Sequence, residues 1–222
     1  MKKFNLAIDG PAGAGKSTIA KKLAKQLGFI YVDTGAMYRA MALYFLRNQI
    51  DAADRARIDE ACKNVNITIE YKDGEQFVIL NGENVNHLIR TEEVGNMASA
   101  SSVNQTVRLK LVELQQALAK KESVVMDGRD IGTYVLPNAE LKIYLTASTK
   151  ERARRRWSEL KDRGLAADID EIEKDILERD NRDMTREFAP LRQAEDAVFL
   201  DSSELQIDEV VEKILELYDA RA

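Results

Sequence analysis

Gly10-Pro-Ala-Gly-Ala-Gly15-Lys16-Ser17 fits G-x-x-x-x-G-K-[ST], the spacing of a phosphate-binding loop. Glycines there let backbone N–H groups curl around phosphate oxygens without Cβ clashes, and the helix that follows turns its positive end on the same anion. Pro11, Ala12, Gly13 and Ala14 complete the cradle. Lys16 would reach the β- and γ-phosphates of a nucleoside triphosphate. The Ser17 hydroxyl would hold Mg²⁺ directly, and Thr18 continues the triphosphate site into the first helical turn. Asp127, at the end of the apolar run Val124-Val-Met126, is a candidate Mg²⁺ carboxylate acting through water; its other reading is an ordinary strand-end aspartate capping a turn.

Arginine is the second chemical signal. Nine of the seventeen arginines fall between residues 152 and 192. At ~100° per residue, Arg179, Asp183 and Arg186 share one helix face. One account is a solvated helix laced by ion pairs, with Glu178, Asp180 and Glu187 as partners. The other is phosphoryl transfer, in which arginines on a mobile flap neutralise charge on donor, acceptor and moving group while excluding water.

These residues need a scaffold. Phe4–Ile8 reads as a strand before the loop, and Ile19, Ala20, Leu23, Ala24 and Leu27 recur at helical spacing up to Gly28, a natural helix stop. Phe29–Val32 is a second strand, and Asp33-Thr34 can cap a helix carrying Met37, Ala40, Met41, Leu43, Tyr44 and Leu46. Strand and helix alternating in this way predict a parallel α/β sheet. A helix over 54–64 is followed by period-two alternation from Val65 to Tyr71, a turn at Lys72–Glu75, a strand at Phe77–Leu80 and an Asn81-Gly82 hairpin signal leading into residues 83–85. Residues 65–86 therefore read as a small antiparallel insertion in a parallel fold. Helices follow at 91–101 and 105–121, strands at 124–126 and 141–145, charged helices at about 149–163 and 168–184, a strand at 197–200 and a last helix at 207–218. Ligands of open parallel sheets bind beyond the carboxyl ends of the strands, which selects the Gly10 loop, Asp33-Thr34, Asp127–Asp130 and the turn near Asp201.

With 222 residues, 45% hydrophobic and 32% charged, the chain has the composition of a globular protein with one core. A net charge of −5 argues against a polynucleotide or membrane-surface binder. Cys62, the only cysteine, excludes an internal disulfide and a cysteine-rich zinc site. No apolar run approaches a membrane span, and Asn5 and Asp9 interrupt what could otherwise start a signal peptide. The expected location is the cytoplasm, and the expected state a monomer. His87 reads as surface, Trp157 and Phe188 as packing, and Cys62 as inert core.

Four segments together resemble the bacterial cytidylate kinases of the nucleoside monophosphate kinase group. They are Ile8–Thr18, Asp33-Thr-Gly-Ala-Met-Tyr-Arg39, Asp127-Gly-Arg-Asp-Ile-Gly-Thr133, and Glu178–Arg186 leading to Ala189-Pro-Leu191. The first is common to many kinases; the combination of the other three is specific, and the insertion at 65–86 is similar to one that marks the family. The resemblance implies a single P-loop NTPase-type domain over 1–222: a core of about 1–64, 87–150 and 185–222, an insertion at about 65–86, and a short helical lid at about 150–170. It implies transfer of the γ-phosphate of ATP to CMP or dCMP with Mg²⁺. Thr34, Arg108 and Asp130 would read the cytosine; Ser99, Arg179 and Asp183 would hold the ribose; Arg39, Arg129 and Arg186 would clamp the acceptor phosphate. Arg152, Arg155 and Arg156 would belong to the lid over ATP, with Lys16, Arg129, Arg152 and Arg155 serving the transfer itself. Family members often carry Ser where this chain has Thr34, which keeps the hydroxyl and adds a methyl. Other readings of the loop are a P-loop kinase of a different acceptor (UMP, shikimate, gluconate) and a GTP-dependent switch; no N-K-x-D guanine-reading sequence supports the switch.

Overall fold

Short apolar runs such as Leu6-Ala-Ile8 and Val124-Val-Met126 leave no polar face for water, and they form strands buried on both sides. The computed structural model describes residues 3–72 and 74–222. In chain order the elements are β1 (Asn5–Asp9), α1 (Lys16–Leu27), β2 (Ile30–Asp33), α2 (Thr34–Arg47), α3 (Arg55–Asn64), β3 (Ile67–Lys72), β4 (Glu75–Leu80), β5 (Glu83–Asn84), α4 (Glu92–Ser101), α5 (Gln105–Lys121), β6 (Val124–Gly128), β7 (Leu141–Thr146), α6 (Thr149–Asp162), α7 (Ile169–Thr185), β8 (Val198–Asp201) and α8 (Ile207–Asp219). A π-helical turn, Ile131–Val135, lies between β6 and β7.

β1, β2, β6, β7 and β8 pair in parallel in the order β2-β6-β1-β7-β8. Leu6, Ile8, Leu23, Val125, Leu145 and Ile214 form the core on the α1 and α8 side. Ala7, Met37, Phe45, Leu111 and Met126 belong to the larger core on the other, with α2 and α5. Side-chain caps fix the helix starts: Asp33 Oδ1 accepts from Ala36 N at 2.9 Å, Thr91 Oγ1 from Val94 N at 3.3 Å, and Asn104 Oδ1 from Thr106 N at 2.8 Å, each worth about 1 kcal/mol. At the end of α1, Gly28 takes the left-handed conformation, φ 67°.

The antiparallel insertion is present as β3-β4-β5. Its turn at Lys72–Glu75 includes Asp73, which lies outside the described residues. The insertion does a specific job for the main sheet. β2 is an edge strand, and side chains occupy its free backbone groups: Tyr71 Oη donates to Tyr31 O at 3.1 Å, Gln76 Oε1 accepts from Asp33 N at 2.9 Å, and Gln76 Nε2 donates to Asp33 O at 3.2 Å. An open edge is thereby closed without a further strand. Cys62 is buried, and burial pushes its thiol up to about 11. His87 is exposed. Trp157 donates Nε1–H to Ala167 O at 3.2 Å, and Phe188 packs edge-on to Tyr134 at 4.9 Å.

Candidate active site

Parallel register sets the carboxyl edge of the sheet. Asp127 pairs with Ile8 on one side and Asp33 on the other, and Asp9 pairs with Gly128. β6 therefore runs through Asp127 and Gly128, two residues past its apolar run, because backbone pairing does not depend on side-chain type. From this edge the chain turns into the phosphate loop. A Cβ on Gly10 would stand 1.9 Å from the Leu145 carbonyl oxygen, so only glycine lets β1 leave the sheet here. Gly15, φ 84°, begins α1 in the left-handed region.

Lys16 is buried, and its Nζ donates to Pro11 O at 2.6 Å. Burial and then Arg129 push its ammonium pKa well below the lysine range, against the pull of Asp127. Ser17 Oγ donates to Asp127 Oδ2 at 2.8 Å, and Tyr31 Oη donates to Asp127 Oδ1 at 2.8 Å. Burial and the neighbouring Asp33 raise Asp127 to about 6. A hydroxyl and a carboxylate in contact are hard oxygen donors suited to a divalent cation. Among the described residues no cluster of three His, Cys, Asp or Glu side chains could hold a metal alone. The chain thus fits a cation whose shell is completed by phosphate oxygens and water, the preference of Mg²⁺.

Across a cavity of about 280 Å³ from this loop stand arginines interleaved with aspartates. Asp130 is gripped twice, by Arg108 Nη2 at 2.6 Å and Arg186 Nη2 at 3.3 Å. The Arg108 guanidinium also lies 5.3 Å over the Tyr38 ring and is 1% exposed. Asp183 pairs with Arg129 Nε at 2.8 Å and Arg186 Nη1 at 3.5 Å. Burial pushes Asp183 up, but Arg129, Arg179 and Arg186 together hold it below the usual carboxylate range. Arg179 differs from its neighbours: its Nε is buried without a partner, and burial with Arg129 lowers it to about 10. A cation in that state seeks an anion. Thr34 Oγ1 donates to Asp127 O at 2.7 Å, Arg39 Nη1 donates to Ile89 O at 3.2 Å, and Ser99 Oγ accepts from Arg182 Nη1 at 2.6 Å.

Lys16, Ser17, Thr18, Thr34, Arg39, Ser99, Arg108, Asp127, Arg129, Asp130, Arg179, Asp183 and Arg186 all line this one cavity. Arg186, expected at the acceptor phosphate, also grips the carboxylate expected to read the base. The expected lid arginines lie outside the lining. Arg152 is buried, donating to Ala147 O at 2.9 Å, Ala12 O at 2.8 Å and Asp180 Oδ2 at 2.5 Å. Arg155 pairs with Glu151 at 2.9 Å and donates to Ser202 O at 2.6 Å, and exposed Arg156 pairs with Glu159 at 2.9 Å.

Three residues enter the site that sequence spacing did not single out for it. Asp180, read above as a surface ion-pair partner, is buried and accepts from Ala12 N at 3.0 Å as well as from Arg152. Arg182 reaches Ser99. Asp9, pushed up to about 7 by burial, accepts from Ile131 N and Gly132 N, each at 2.7 Å, and so fixes the turn carrying Arg129 and Asp130. The i,i+3 spacing of Asp180 and Asp183 was a usable signal; the cross-chain contacts of Asp9 were not.

A family model described as cytidylate kinase matches residues 6–220. A cytidylate kinase of Caldicellulosiruptor bescii is 57% identical over 98% of this chain and 96% of its own length. One from a Geobacillus species is 49% identical over 98% of this chain and 97% of its own. Among solved structures, shikimate kinase from Bacteroides thetaiotaomicron superposes with a TM-score of 0.50 at 15% identity, over 97% of this chain and 98% of that one, a likeness of fold.

Proposed function

The chain belongs to the cytidylate kinase family, and from that premise we propose how its residues divide the transfer of the γ-phosphate of ATP to CMP or dCMP, giving ADP and CDP or dCDP. The donor triphosphate lies in the loop from Gly10 to Thr18, its oxygens met by backbone N–H groups and the start of α1. Lys16, whose ammonium burial disfavours, regains its proton affinity beside phosphate. Ser17 Oγ, and Asp127 through water, would hold Mg²⁺, which would supply charge neutralisation at the triphosphate.

On the acceptor side, Arg39 and Arg129 clamp the CMP phosphate, while Ser99, Arg179 and Asp183 hold the ribose, Arg179 bringing an uncommitted Nε–H. Arg186 joins the phosphate clamp while also holding the base reader Asp130. The observation that carries this assignment is Asp130, a buried carboxylate fixed by Arg108 and Arg186 in the cavity that opens onto the phosphate loop. Such a carboxylate accepts from the cytosine N4 amino group; the O4 carbonyl of uracil would face it with no proton between them. Thr34 lines the same cavity.

No strong general base is needed. An acceptor phosphate oxygen attacks the γ-phosphorus in line, the bond to the bridging oxygen of ADP breaks, and positioning with charge neutralisation carries the step. Arg155, whose Nη1 lies 4.0 Å from where a Gly15 Cβ would be, is near enough to the loop to serve the moving group. Arg152 acts by holding Ala12. Arg156 belongs with α6 and the following segment as a lid over a single-domain core. Dependence on ATP as co-substrate supports the cytoplasm, and the scattered exposed apolar side chains support a monomer.

Asp130→Asn tests the base assignment. The amide keeps the shape but offers uracil O4 a donor, so the CMP:UMP ratio of kcat/KM should fall about tenfold or more. An unchanged ratio would move the base reader elsewhere.

A further inference from the structure

The wall of the cavity contains a polar side chain to which the mechanism above gives no task. Gln115 stands on α5 two helical turns beyond Arg108, so both leave the same face of that helix. It is 1% exposed and lines the cavity, yet its Nε2 is buried with no hydrogen-bond partner. Its surroundings are well ordered by comparison. Arg108 donates to Ser102 O at 3.3 Å, pairs with Asp130 and lies over Tyr38. A buried amide N–H without an acceptor lowers stability, and an apolar side chain of equal length would pack the same wall without that cost. Turning the amide over about its last bond exchanges Nε2 and Oε1 with almost no change of shape, so the side chain can present its donor to the cavity.

We propose that Gln115 is a further specificity-determining residue of the acceptor pocket, its amide N–H donating to the N3 acceptor of the pyrimidine. Cytosine offers a donor at N4 followed by acceptors at N3 and O2. Asp130 matches the first, and a donor from the α5 wall matches the next. Uracil carries a proton at N3, which a donor there would oppose. The inference rests on reading this cavity as the CMP site.

The test compares wild type with Gln115→Met, which keeps length and removes hydrogen bonding, and with Gln115→Glu, which keeps shape and, once ionised, accepts only. Measured quantities are KM for CMP, KM for ATP and the melting temperature. In Gln115→Met the KM for CMP should rise about three- to tenfold, with KM for ATP unmoved and the melting temperature equal or higher, since an unpartnered buried donor is gone. Gln115→Glu at pH 8 should weaken CMP in the same way, and it decides the matter by the same pair of KM values if the Met variant does not fold. A wild-type KM for CMP in the folded variants would overturn the proposal. So would a lowered melting temperature with both KM values moving together, the signature of a packing role. Absence of CMP turnover by wild type would remove the site reading and this inference together; normal wild-type turnover with an unaffected Gln115→Met removes this inference alone.

Discussion

On the proposed assignment, protonating Asp127 would oppose the divalent cation it holds through water. Burial and Asp33 raise this carboxyl to about 6, so its folded-state pKa lies above the unfolded value. The sign follows: stability from this group is fully present below the unfolded carboxylate pKa and is lost as pH rises through about 6, while metal binding needs the ionised form above it. The kcat/KM for MgATP should therefore fall as pH drops below about 6, and Asp127→Asn should raise the Mg²⁺ requirement and abolish that acid limb. An acid limb unchanged in Asp127→Asn would assign it to another group. Much at this scale was legible in the sequence. Lys16 and Ser17 are specified by local spacing in one strand-loop-helix unit, and Asp127 by its place at the end of an apolar run. Asp9 and Gln115 were not: Asp9 is defined by burial and contacts made across the chain, and Gln115 by burial against the cavity, while Asp180 offered only its i,i+3 spacing from Asp183.

Among elements, α6 and α7 hold the phosphate loop through one peptide. Ala12 donates its N–H to Asp180 on α7 and accepts at its carbonyl from Arg152 on α6, and Arg152 and Asp180 pair with each other. Asp180→Ala leaves Arg152 buried and unpaired, so it should cost about 3–5 kcal/mol, read as a lower urea midpoint. The double variant Arg152→Met with Asp180→Leu should regain most of that stability while KM for ATP stays raised, because the Ala12 peptide has lost both partners. Full recovery of both quantities would reduce the pair to packing. Helix and strand positions at this scale were readable from periodicity within a residue or two, including the Asp33, Thr91 and Asn104 starts. The π-helical turn at Ile131–Val135 was not, since the carboxylate that fixes it comes from β1. The reading of α7 as a solvated, ion-paired helix fails on its buried face for a related reason: besides the local Asp183–Arg186 pair, Asp180 and Asp183 meet partners from α6, the phosphate loop and the β6 turn, all distant in sequence.

For the whole molecule, the five-stranded sheet brings two half-sites into one cavity: a phosphate loop after the central strand β1 and an arginine–aspartate cluster built from α5, the β6 turn and α7. The fold is of a kind shared with shikimate kinase, so the fold does not choose the acceptor; on the proposed assignment the second half-site does. The antiparallel insertion, recognisable from its hairpin signal, takes a role that sequence did not reveal, sealing the β2 edge through Tyr71 and Gln76. The measurement that tests the account most directly is ADP release by wild type with Mg²⁺ and ATP across CMP, dCMP, UMP, AMP, GMP, shikimate and gluconate. The account predicts the highest kcat/KM for CMP and dCMP, less for UMP, and background for the rest. Faster turnover of a purine nucleotide, shikimate or gluconate than of CMP would contradict it.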